Sequence, residues 1–278
     1  MIPIHENLAN KVAVITGGSG VLCSAMAKEL ARQKVKVVIL GLTADKVNEV
    51  TEEIIASGGT ALPIVANVLD KQSLIEAKKK ILEQFGQIDF LINGAGGNHP
   101  DAITDKEYFT SNIEGTSFFD LQEEGFSNVF DLNFIGTFLL CKVFGDALLK
   151  SDMPSIINIS SMSAYTPLTK VPAYSAAKAS INNFTSWLAV HFAETGLRVN
   201  AIAPGFFITQ QNKDLLVDAN GEYTARSKKI IEATPMKKFG EPEHLLGTLL
   251  FLLDPSYSSF VTGTTIPVDG GFNAYSGV

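Results

Sequence analysis

The chain has 278 residues, of which 46% are hydrophobic and 18% charged, and its net charge is −7 at neutral pH. These values fit a globular protein that buries one large core, and they exclude extensive disorder and a nucleic-acid-binding surface. Two cysteines, Cys23 and Cys141, are too few for a disulfide framework, and no cysteine or histidine cluster indicates a metal site. Without a signal-peptide pattern or an apolar run of membrane-spanning length, we expect a cytoplasmic protein with no membrane partner.

Short apolar runs alternate with amphipathic segments along the chain. The apolar runs predict strands at 12–15, 35–40, 61–66, 90–92, 155–159, 198–202 and 265–268. The amphipathic segments predict helices at 21–33, 43–57, 71–85, 122–150, 173–195 and 241–253. This rhythm predicts an α/β fold, with one Rossmann-like, doubly wound parallel sheet of about seven strands, helices on both faces, and a single domain over 1–278. An insertion at 97–121 and a loop at 204–240 interrupt the rhythm, and we expect both to border the functional site.

A glycine-rich turn, T-G-G-S-G at 16–20, separates the first predicted strand from the first predicted helix. This is the context that a dinucleotide-binding loop requires. Glycines let the backbone approach a pyrophosphate, and a helix N-terminus offers free N–H groups and the positive end of the helix dipole. The predicted binding residues are Gly17, Ser19, Gly20, Val21 and Leu22. The alternative is an ordinary tight turn between a strand and a helix.

Tyr174 and Lys178 lie four residues apart in Y-S-A-A-K, and Ser161 lies thirteen residues upstream of Tyr174. Residues at i and i+4 share a helix face, so we expect the Lys178 ammonium near the Tyr174 phenol. The positive charge would lower the phenol pKa, which is about 10 in a free tyrosine. Such a tyrosine exchanges protons near neutral pH, as interconversion of a carbonyl and an alcohol requires. A chance pairing on one helix face is the alternative, and Ser160 competes with Ser161.

With these motifs and several others, the chain resembles the short-chain dehydrogenase/reductase family over essentially its whole length. The other motifs are N-G-A-G at 93–96, D-L-N-F-I-G-T around Asn133, Pro204-Gly205 with Thr209, and V-D-G-G at 268–271. Within that family, several stretches are similar to the D-mannonate oxidoreductase (fructuronate reductase) subgroup. They are I-N-G-A-G-G-N-H-P-D-A, S-A-Y-T-P-L-T-K-V-P-A-Y, A-P-G-F-F-I-T-Q-Q-N and the ending G-G-F-N-A-Y-S-G-V.

The resemblance implies a role for each matching residue. Tyr174 would act as general acid when a ketone is reduced and as base in reverse, and Ser161 would position the carbonyl. Lys178 would lower the tyrosine pKa and hold the nicotinamide ribose. Asn133 would hold a water linking Lys178 to solvent, unless it is a helix-distorting core amide. The cofactor residues beyond the first turn would be Gly41, Leu42, Asn67, Val68, Asn93, Gly94, Ala95, Gly96, Tyr174, Lys178, Pro204, Gly205, Phe207 and Thr209.

Two departures from the family pattern bear on the cofactor. In the register T-G-x-x-x-G-x-G, Val21 and Cys23 stand where the second and third glycines are usual, so we expect a modified phosphate turn. After the second strand, the stretch that begins at Gly41 supplies neither a carboxylate to repel a 2′-phosphate nor an arginine to bind one. Thr43 and Lys46 could serve either cofactor. The predicted cofactor is NAD(H) or NADP(H), and the subgroup resemblance favours NAD(H).

The two long segments supply polar side chains that suit a polyhydroxylated anion better than a steroid or an acyl chain. The substrate candidates are Asn98, His99, Lys170, Gln211 and Lys213. The two lysines are alternatives for a carboxylate, and His99 equally fits a turn cap. The predicted substrate is a sugar acid, D-fructuronate or D-mannonate. Gluconate 5-dehydrogenase activity, 3-oxoacyl-carrier reductase activity and non-catalytic dinucleotide binding are the alternatives. The resemblance, together with wide apolar faces on the helices at 122–150 and 173–195, predicts a homotetramer.

Overall fold

The computed structural model describes residues 2–111, 114–208, 216–218 and 221–277. Within these ranges, seven parallel strands form one sheet in the order β3-β2-β1-β4-β5-β6-β7. The strands are β1 Val12–Thr16, β2 Lys36–Gly41, β3 Thr60–Val65, β4 Phe90–Asn93, β5 Ser155–Ile159, β6 Arg198–Pro204 and β7 Thr265–Val268. The predicted doubly wound α/β sheet is confirmed, because each predicted strand has its counterpart at nearly the same bounds.

Helices connect the strands and cover both faces of the sheet. They are α1 Val21–Arg32, α2 Ala44–Ala56, α3 Lys71–Phe85, α4 Glu123–Phe130, α5 Gly136–Leu148, α6 Pro172–His191, α7 Ala225–Ala233, α8 Leu246–Leu253 and α9 Pro255–Ser258. Three predicted helices are wrong in part. The one at 122–150 is divided by a π-helical segment, Asp131–Ile135. The one at 173–195 ends at His191, before a 3-10 turn at Ala193–Thr195, and the one at 241–253 begins as a 3-10 turn at Pro242–Leu245.

Alternate residues of the central strands pack into two separate hydrophobic layers. In β1, Ala13 and Ile15 join the layer that contains α1, α2 and α8, whereas Val12 and Val14 join the layer that contains α3 and α5. All four side chains are fully buried. Because successive side chains of a strand point to opposite faces, a nearly continuous apolar strand is typical of a sheet covered on both sides.

Strand β1 lies at the point where the strand order reverses. Thr16, its last residue, pairs with Leu40 of β2 on one side and with Asn93 of β4 on the other. Crossovers leave on opposite faces of the sheet at such a switch point, so a crevice opens at the carboxyl ends of the strands. The glycine turn after β1 and the segments after β4, β5 and β6 therefore meet at one edge.

The insertion and the late loop carry short helices of their own. The insertion contains the 3-10 turns Pro100–Ala102 and Phe118–Asp120, and the loop contains α7. An ion pair of 2.5 Å between Glu107 Oε2 and Lys229 Nζ joins the insertion to α7. Both long segments therefore lie together beside the carboxyl edge of the sheet.

The helical run Glu123–Leu148 is long and apolar enough to cross a membrane by length and composition, with a mean hydropathy of 1.2. In the fold, however, 44% of its most apolar window is buried. Leu140, Phe144 and Leu148 pack into the hydrophobic layer beneath the sheet. The core helix of a globular protein passes the same test, so this run is weak evidence for a membrane span.

Candidate active site

Ser161, Tyr174 and Lys178 converge at the carboxyl end of β5. Ser161 is the N-cap of a 3-10 turn, Met162–Ala164, and the other two residues lie on the first turns of α6. Lys178 Nζ lies 5.5 Å from the centre of the Tyr174 ring and donates a 2.9 Å hydrogen bond to the Ile159 carbonyl. The i, i+4 spacing thus gives the predicted proximity, and the backbone of β5 fixes the position of the ammonium.

The two serines that follow β5 have different partners. Ser160 Oγ donates a 2.5 Å hydrogen bond to Asn182 Oδ1, so its hydroxyl is used where β5 packs against α6. The Ser161 hydroxyl instead lies beside the Tyr174 phenol, where its hydrogen-bonding interaction lowers the pKa of that phenol. Of the two candidates, Ser161 is therefore the one placed beside the phenol, as predicted.

The pKa of Tyr174 does not follow the sequence-based expectation. Burial raises the pKa of the phenol above its ordinary value of 10.0, and the hydrogen bond with Ser161 opposes that rise. Burial also lowers the pKa of Lys178 from 10.5 to about 8, because a charged ammonium is unfavourable away from water. The expected lowering of the tyrosine pKa by Lys178 is therefore wrong. The ammonium lies over the ring, and desolvation of the phenol is the largest influence on its pKa.

Asn133 lies in the π-helical segment between α4 and α5 and is fully buried. Its Nδ2 donates to the Val129 carbonyl at 2.8 Å and to the Gly97 carbonyl at 2.7 Å, and its Oδ1 accepts from the Gly97 N–H at 3.3 Å. A side chain bonded to the carbonyl four residues back competes with the helical ladder and favours a wider turn. Asn133 is thus a helix-distorting amide that also anchors the segment after β4. A Cβ on Gly96 would lie 2.6 Å from Asn133 Oδ1 and 3.3 Å from Lys178 Nζ.

The glycine turn after β1 forms a concave backbone surface. Gly17 has a left-handed φ of 63°, and a Cβ there would lie 2.8 Å from the Gly94 carbonyl oxygen. Gly20 is the N-cap of α1, so the first N–H groups of that helix face the turn. Such groups lack intrahelical partners and sit at the positive end of the helix dipole, which suits a pyrophosphate.

Cys23 and Gly94 explain the departure from the family's glycine pattern. A Cβ built on Gly94 would lie 2.2 Å from Cys23 Sγ, so the thiol fills the space that a side chain at position 94 would need. The missing glycine at position 23 is thus compensated by a glycine at position 94. Burial raises the pKa of Cys23 to about 12, which indicates a packing thiol rather than a nucleophile.

A cavity of about 250 Å³ opens at the switch point beside this turn. Nine predicted cofactor residues line it: Gly17, Ser19, Gly20, Gly41, Leu42, Asn67, Val68, Ala95 and Gly96. Thr43 and Lys46 line it as well. Ala66 and Leu132 complete the lining, and the sequence carried no signal for them beyond their places after β3 and before Asn133. A cradle of glycine backbone with an apolar wall fits a dinucleotide.

Asn93 supports the cavity from beneath rather than lining it. Its Nδ2 donates a 2.8 Å hydrogen bond to Asn158 Oδ1, which joins β4 to β5, and Asn158 Nδ2 donates to Thr185 on α6. Asn93, predicted as a cofactor residue, therefore joins two strands beneath the cavity. Val21 and Leu22 form the first turn of α1, directly after the glycine turn.

The segment after β6 closes the other side of the site. A Cβ on Gly205 would lie 2.6 Å from Asp269 Cα, so the turn that follows Pro204 needs glycine to pass the backbone after β7. Phe207 is buried and pairs with Gly240 through an isolated parallel bridge. Thr209, predicted to border the nicotinamide, lies outside the described residues.

Asn98 and His99, predicted as substrate residues, are used within the insertion. Asn98 Oδ1 accepts from the His99 N–H at 3.0 Å, and His99 Nδ1 accepts from the Asp101 N–H at 3.3 Å. His99 is the N-cap of the 3-10 turn Pro100–Ala102. The capping role that the sequence left open therefore describes His99.

Lys170 adopts a backbone conformation that is unusual for a residue with a side chain. Its φ is 72°, and its carbonyl accepts a 2.9 Å hydrogen bond from Thr104 of the insertion. The pKa of Glu107 is lowered by a hydrogen bond from Lys229 and by the positive charge of Lys170. Lys170 therefore already interacts with an acidic group, and it lies four residues before Tyr174, ahead of the start of α6. Gln211 and Lys213 lie outside the described residues.

The sequence is similar over most of its length to known reductases and oxidoreductases. A family model described as enoyl-(acyl carrier protein) reductase matches residues 20–273. The chain is 69% identical over its whole length to the uncharacterized oxidoreductase UxuB of Bacillus subtilis, and it covers 100% of that protein. It is 32% identical over 270 residues to the 2-dehydro-3-deoxy-D-gluconate 5-dehydrogenase of Dickeya dadantii, covering 96% of this chain and 97% of that protein.

A solved structure from Haemophilus influenzae is similar in both fold and sequence. That protein is provisionally named a D-mannonate oxidoreductase, and its structure contains bound NAD. The TM-score is 0.95 at 51% identity, and 98% of each chain is covered.

Proposed function

Since the chain belongs to the short-chain dehydrogenase/reductase family and is an oxidoreductase that uses a nicotinamide dinucleotide, we propose that it acts on a sugar acid and interconverts D-fructuronate and D-mannonate. The observation that carries this proposal is the full-length similarity, at 51% identity, to the NAD-bound protein provisionally named a D-mannonate oxidoreductase. The 32% identity to a dehydrogenase of another sugar acid adds support.

The residues at the switch point fit the cofactor. We propose that the backbone of Gly17, Ser19 and Gly20 holds the pyrophosphate, that Asn67 and Val68 border the adenine, and that Lys178 holds the nicotinamide ribose. The bound dinucleotide supplies or accepts the hydride, which is chemistry that belongs to the cofactor. The protein contributes orientation and electrostatics.

Proton transfer is the task of Tyr174. The phenol, whose pKa burial raises above its ordinary value of 10.0, is the group that donates a proton to the ketone oxygen. Ser161 donates a hydrogen bond to the same oxygen and stabilises the charge that develops there. Lys178 is held by the Ile159 carbonyl, and Asn133 brings the segment after β4 beside it. Because the Asn133 side chain is already bonded to Val129 and Gly97, we propose that it positions this segment beside Lys178 rather than holding a water through its amide.

The substrate carboxylate needs a cation near the site. Lys170 and Lys213 are the candidates, and Lys170 is supported by its position four residues before Tyr174, where its carbonyl accepts a hydrogen bond from Thr104 of the insertion. The inserted segment and α7, joined by the ion pair from Glu107 to Lys229, would enclose the rest of the sugar.

We propose that both segments belong to one domain with the sheet.

A substrate panel tests the proposed function. Purified protein is mixed with NADH and, separately, with D-fructuronate, 5-dehydro-D-gluconate and a 3-oxoacyl thioester, and the loss of reduced-nicotinamide absorbance is followed. We expect kcat/KM to be highest for D-fructuronate. A preference for 5-dehydro-D-gluconate would support the gluconate 5-dehydrogenase alternative. Turnover of the thioester alone, or of none of the three, would contradict a sugar-acid oxidoreductase.

We also propose a homotetramer. Between 38% and 78% of the surface stays exposed on Ile135, at the end of the π-helical segment, on Phe138 of α5, and on Trp187 and Val190 of α6. Phe184 links them, because its ring contacts both Phe138 and Trp187. A connected apolar face of this kind indicates self-association. Light scattering of an active sample at micromolar concentration tests it, and a mass of 29.9 kDa would contradict it.

The expected cytoplasmic location is also a proposal, and the state of the two cysteines agrees with it. Cys23 and Cys141 are free and buried, as is usual in a reducing compartment. Fractionation of the source cells with an antibody against the protein tests this location. Recovery in the cytosolic fraction is expected, and recovery with the membranes would contradict it.

A further inference from the structure

Ser163 is a buried serine two residues after Ser161, and the proposed reaction gives it no role so far. It contacts the Ser161 hydroxyl twice. Its backbone N–H donates to Ser161 Oγ at 3.2 Å, and its own Oγ lies 3.0 Å from Ser161 Oγ. A backbone N–H can only donate, so Ser161 Oγ accepts at least one hydrogen bond from this neighbour.

The direction of the second hydrogen bond follows from burial. Among the residues that the structure describes, Ser161 Oγ is the sole hydrogen-bond partner given for Ser163 Oγ. Ser163 is only 1% exposed, so its proton cannot reach bulk water. If Ser161 donated to Ser163, the Ser163 proton would be buried without an acceptor, which is unfavourable. The arrangement that satisfies both groups has Ser163 donating to Ser161.

We propose that Ser163 is a positioning residue that fixes the direction of the Ser161 O–H bond. A serine hydroxyl has two lone pairs and one proton. Because Ser163 fills both lone pairs of Ser161 Oγ, the proton of Ser161 points away from the 3-10 turn. The Tyr174 phenol also interacts with the Ser161 hydroxyl, and the substrate oxygen binds next to that phenol in the proposed function, on which this inference rests. Ser161 is then a donor already aimed before the ketone arrives.

A single substitution measures the size of the effect. Ser163→Ala should lower kcat about tenfold, equivalent to about 1.4 kcal/mol. KM and the NADH dissociation constant should stay within about twofold, because Ser163 touches neither ligand. Ser155→Ala is the matched control, since Ser155 is also a buried serine and its Oγ has no hydrogen-bond partner among the described residues. It should leave kcat unchanged. Ser163→Cys, which keeps the side-chain size and weakens the donor, repeats the test if the alanine variant folds poorly.

A double substitution separates positioning from general packing. Ser161→Ala should lower kcat by roughly 10²–10³, as removal of a donor to a developing oxyanion does. Adding Ser163→Ala to it should cause no further loss, because Ser163 acts only through the hydroxyl that is already gone. Any of three results overturns the proposal. The first is a double variant whose loss of kcat is the product of the two single losses, and the second is a kcat of Ser163→Ala within twofold of wild type. The third is a loss of NADH binding by Ser163→Ala that parallels its loss of kcat. The kcat of each variant is divided by that of the wild type, measured with whichever ketone the wild type reduces. If the proposed sugar acid is wrong, the wild type fails to reduce it. If the role of Ser163 is wrong, the kcat ratios of the variants depart from those expected.

Discussion

Gly94→Ala is expected to destabilise the protein, because Cys23 occupies the space that a side chain at position 94 needs. The added Cβ would lie 2.2 Å from Cys23 Sγ and 2.9 Å from the Thr16 carbonyl oxygen. The first contact can relax only if a buried thiol moves, and the second involves backbone. We therefore expect a loss of about 3 kcal/mol, the upper end of the usual range for overpacking. NADH binding should weaken as well, since Gly17 packs on the same backbone.

Cys23→Ala should rescue part of this loss. It removes Sγ but leaves the contact with the Thr16 carbonyl, so the effect of Gly94→Ala should fall by about half, a coupling of about 1.5 kcal/mol. Urea unfolding of the four proteins in this double-mutant cycle measures the coupling, with unchanged m-values as the check on comparability. Gly145→Ala is the control. It also replaces a glycine by alanine, but Gly145 lies in α5 and a Cβ there meets nothing within 4 Å. Additivity within about 0.5 kcal/mol would refute the compensation between the two positions.

Three further predictions concern stability and the cofactor. Ser155→Ala should raise the free energy of unfolding by about 1 kcal/mol in urea melts, because the buried Ser155 hydroxyl has no partner among the described residues. Lys178→Met should raise it by roughly 1–3 kcal/mol below pH 8. The folded-state pKa of Lys178 is depressed from 10.5 to about 8, so below pH 8 the buried charge lowers the free energy of unfolding of the wild type. That gain should shrink as the pH rises through 8 and vanish above 10.5, as melts across this range would show. NADH and NADPH dissociation constants, measured by fluorescence, should differ by less than about a hundredfold, or 2.8 kcal/mol. Gly41→Asp should shift the preference towards NADH, with a stability loss because its Cβ would lie 2.9 Å from Val47 Cγ2.

The sequence predicted features that depend on local pattern. Apolar runs located the strands, because a sheet covered on both faces needs nearly continuous apolar segments. The motifs at the strand ends then placed Ser161, Tyr174 and Lys178 at one edge, since parallel strands end together there. The i, i+4 spacing was sufficient to bring Lys178 to the tyrosine ring.

Features that depend on distant contacts could not be predicted. The sequence offered Asn133 as a helix-distorting amide, but its bond to Gly97 in the segment after β4 depends on the fold. The packing of Cys23 against Gly94 joins residues that are far apart in sequence. The pKa of Tyr174 was predicted in the wrong direction, because the spacing to Lys178 is visible in the sequence and the desolvation of the phenol is not.

The central claim is that Tyr174 carries the transferred proton, and Tyr174→Phe tests it most directly. The substitution removes the hydroxyl alone and keeps the ring that lies beside Lys178. With NADH and D-fructuronate, or another ketone that the wild type reduces, kcat should fall by about 10²–10⁴. The NADH dissociation constant should stay within about twofold, because the phenyl ring still fills the same space. A rate within about tenfold of wild type, less than a general acid contributes, would contradict the role of Tyr174.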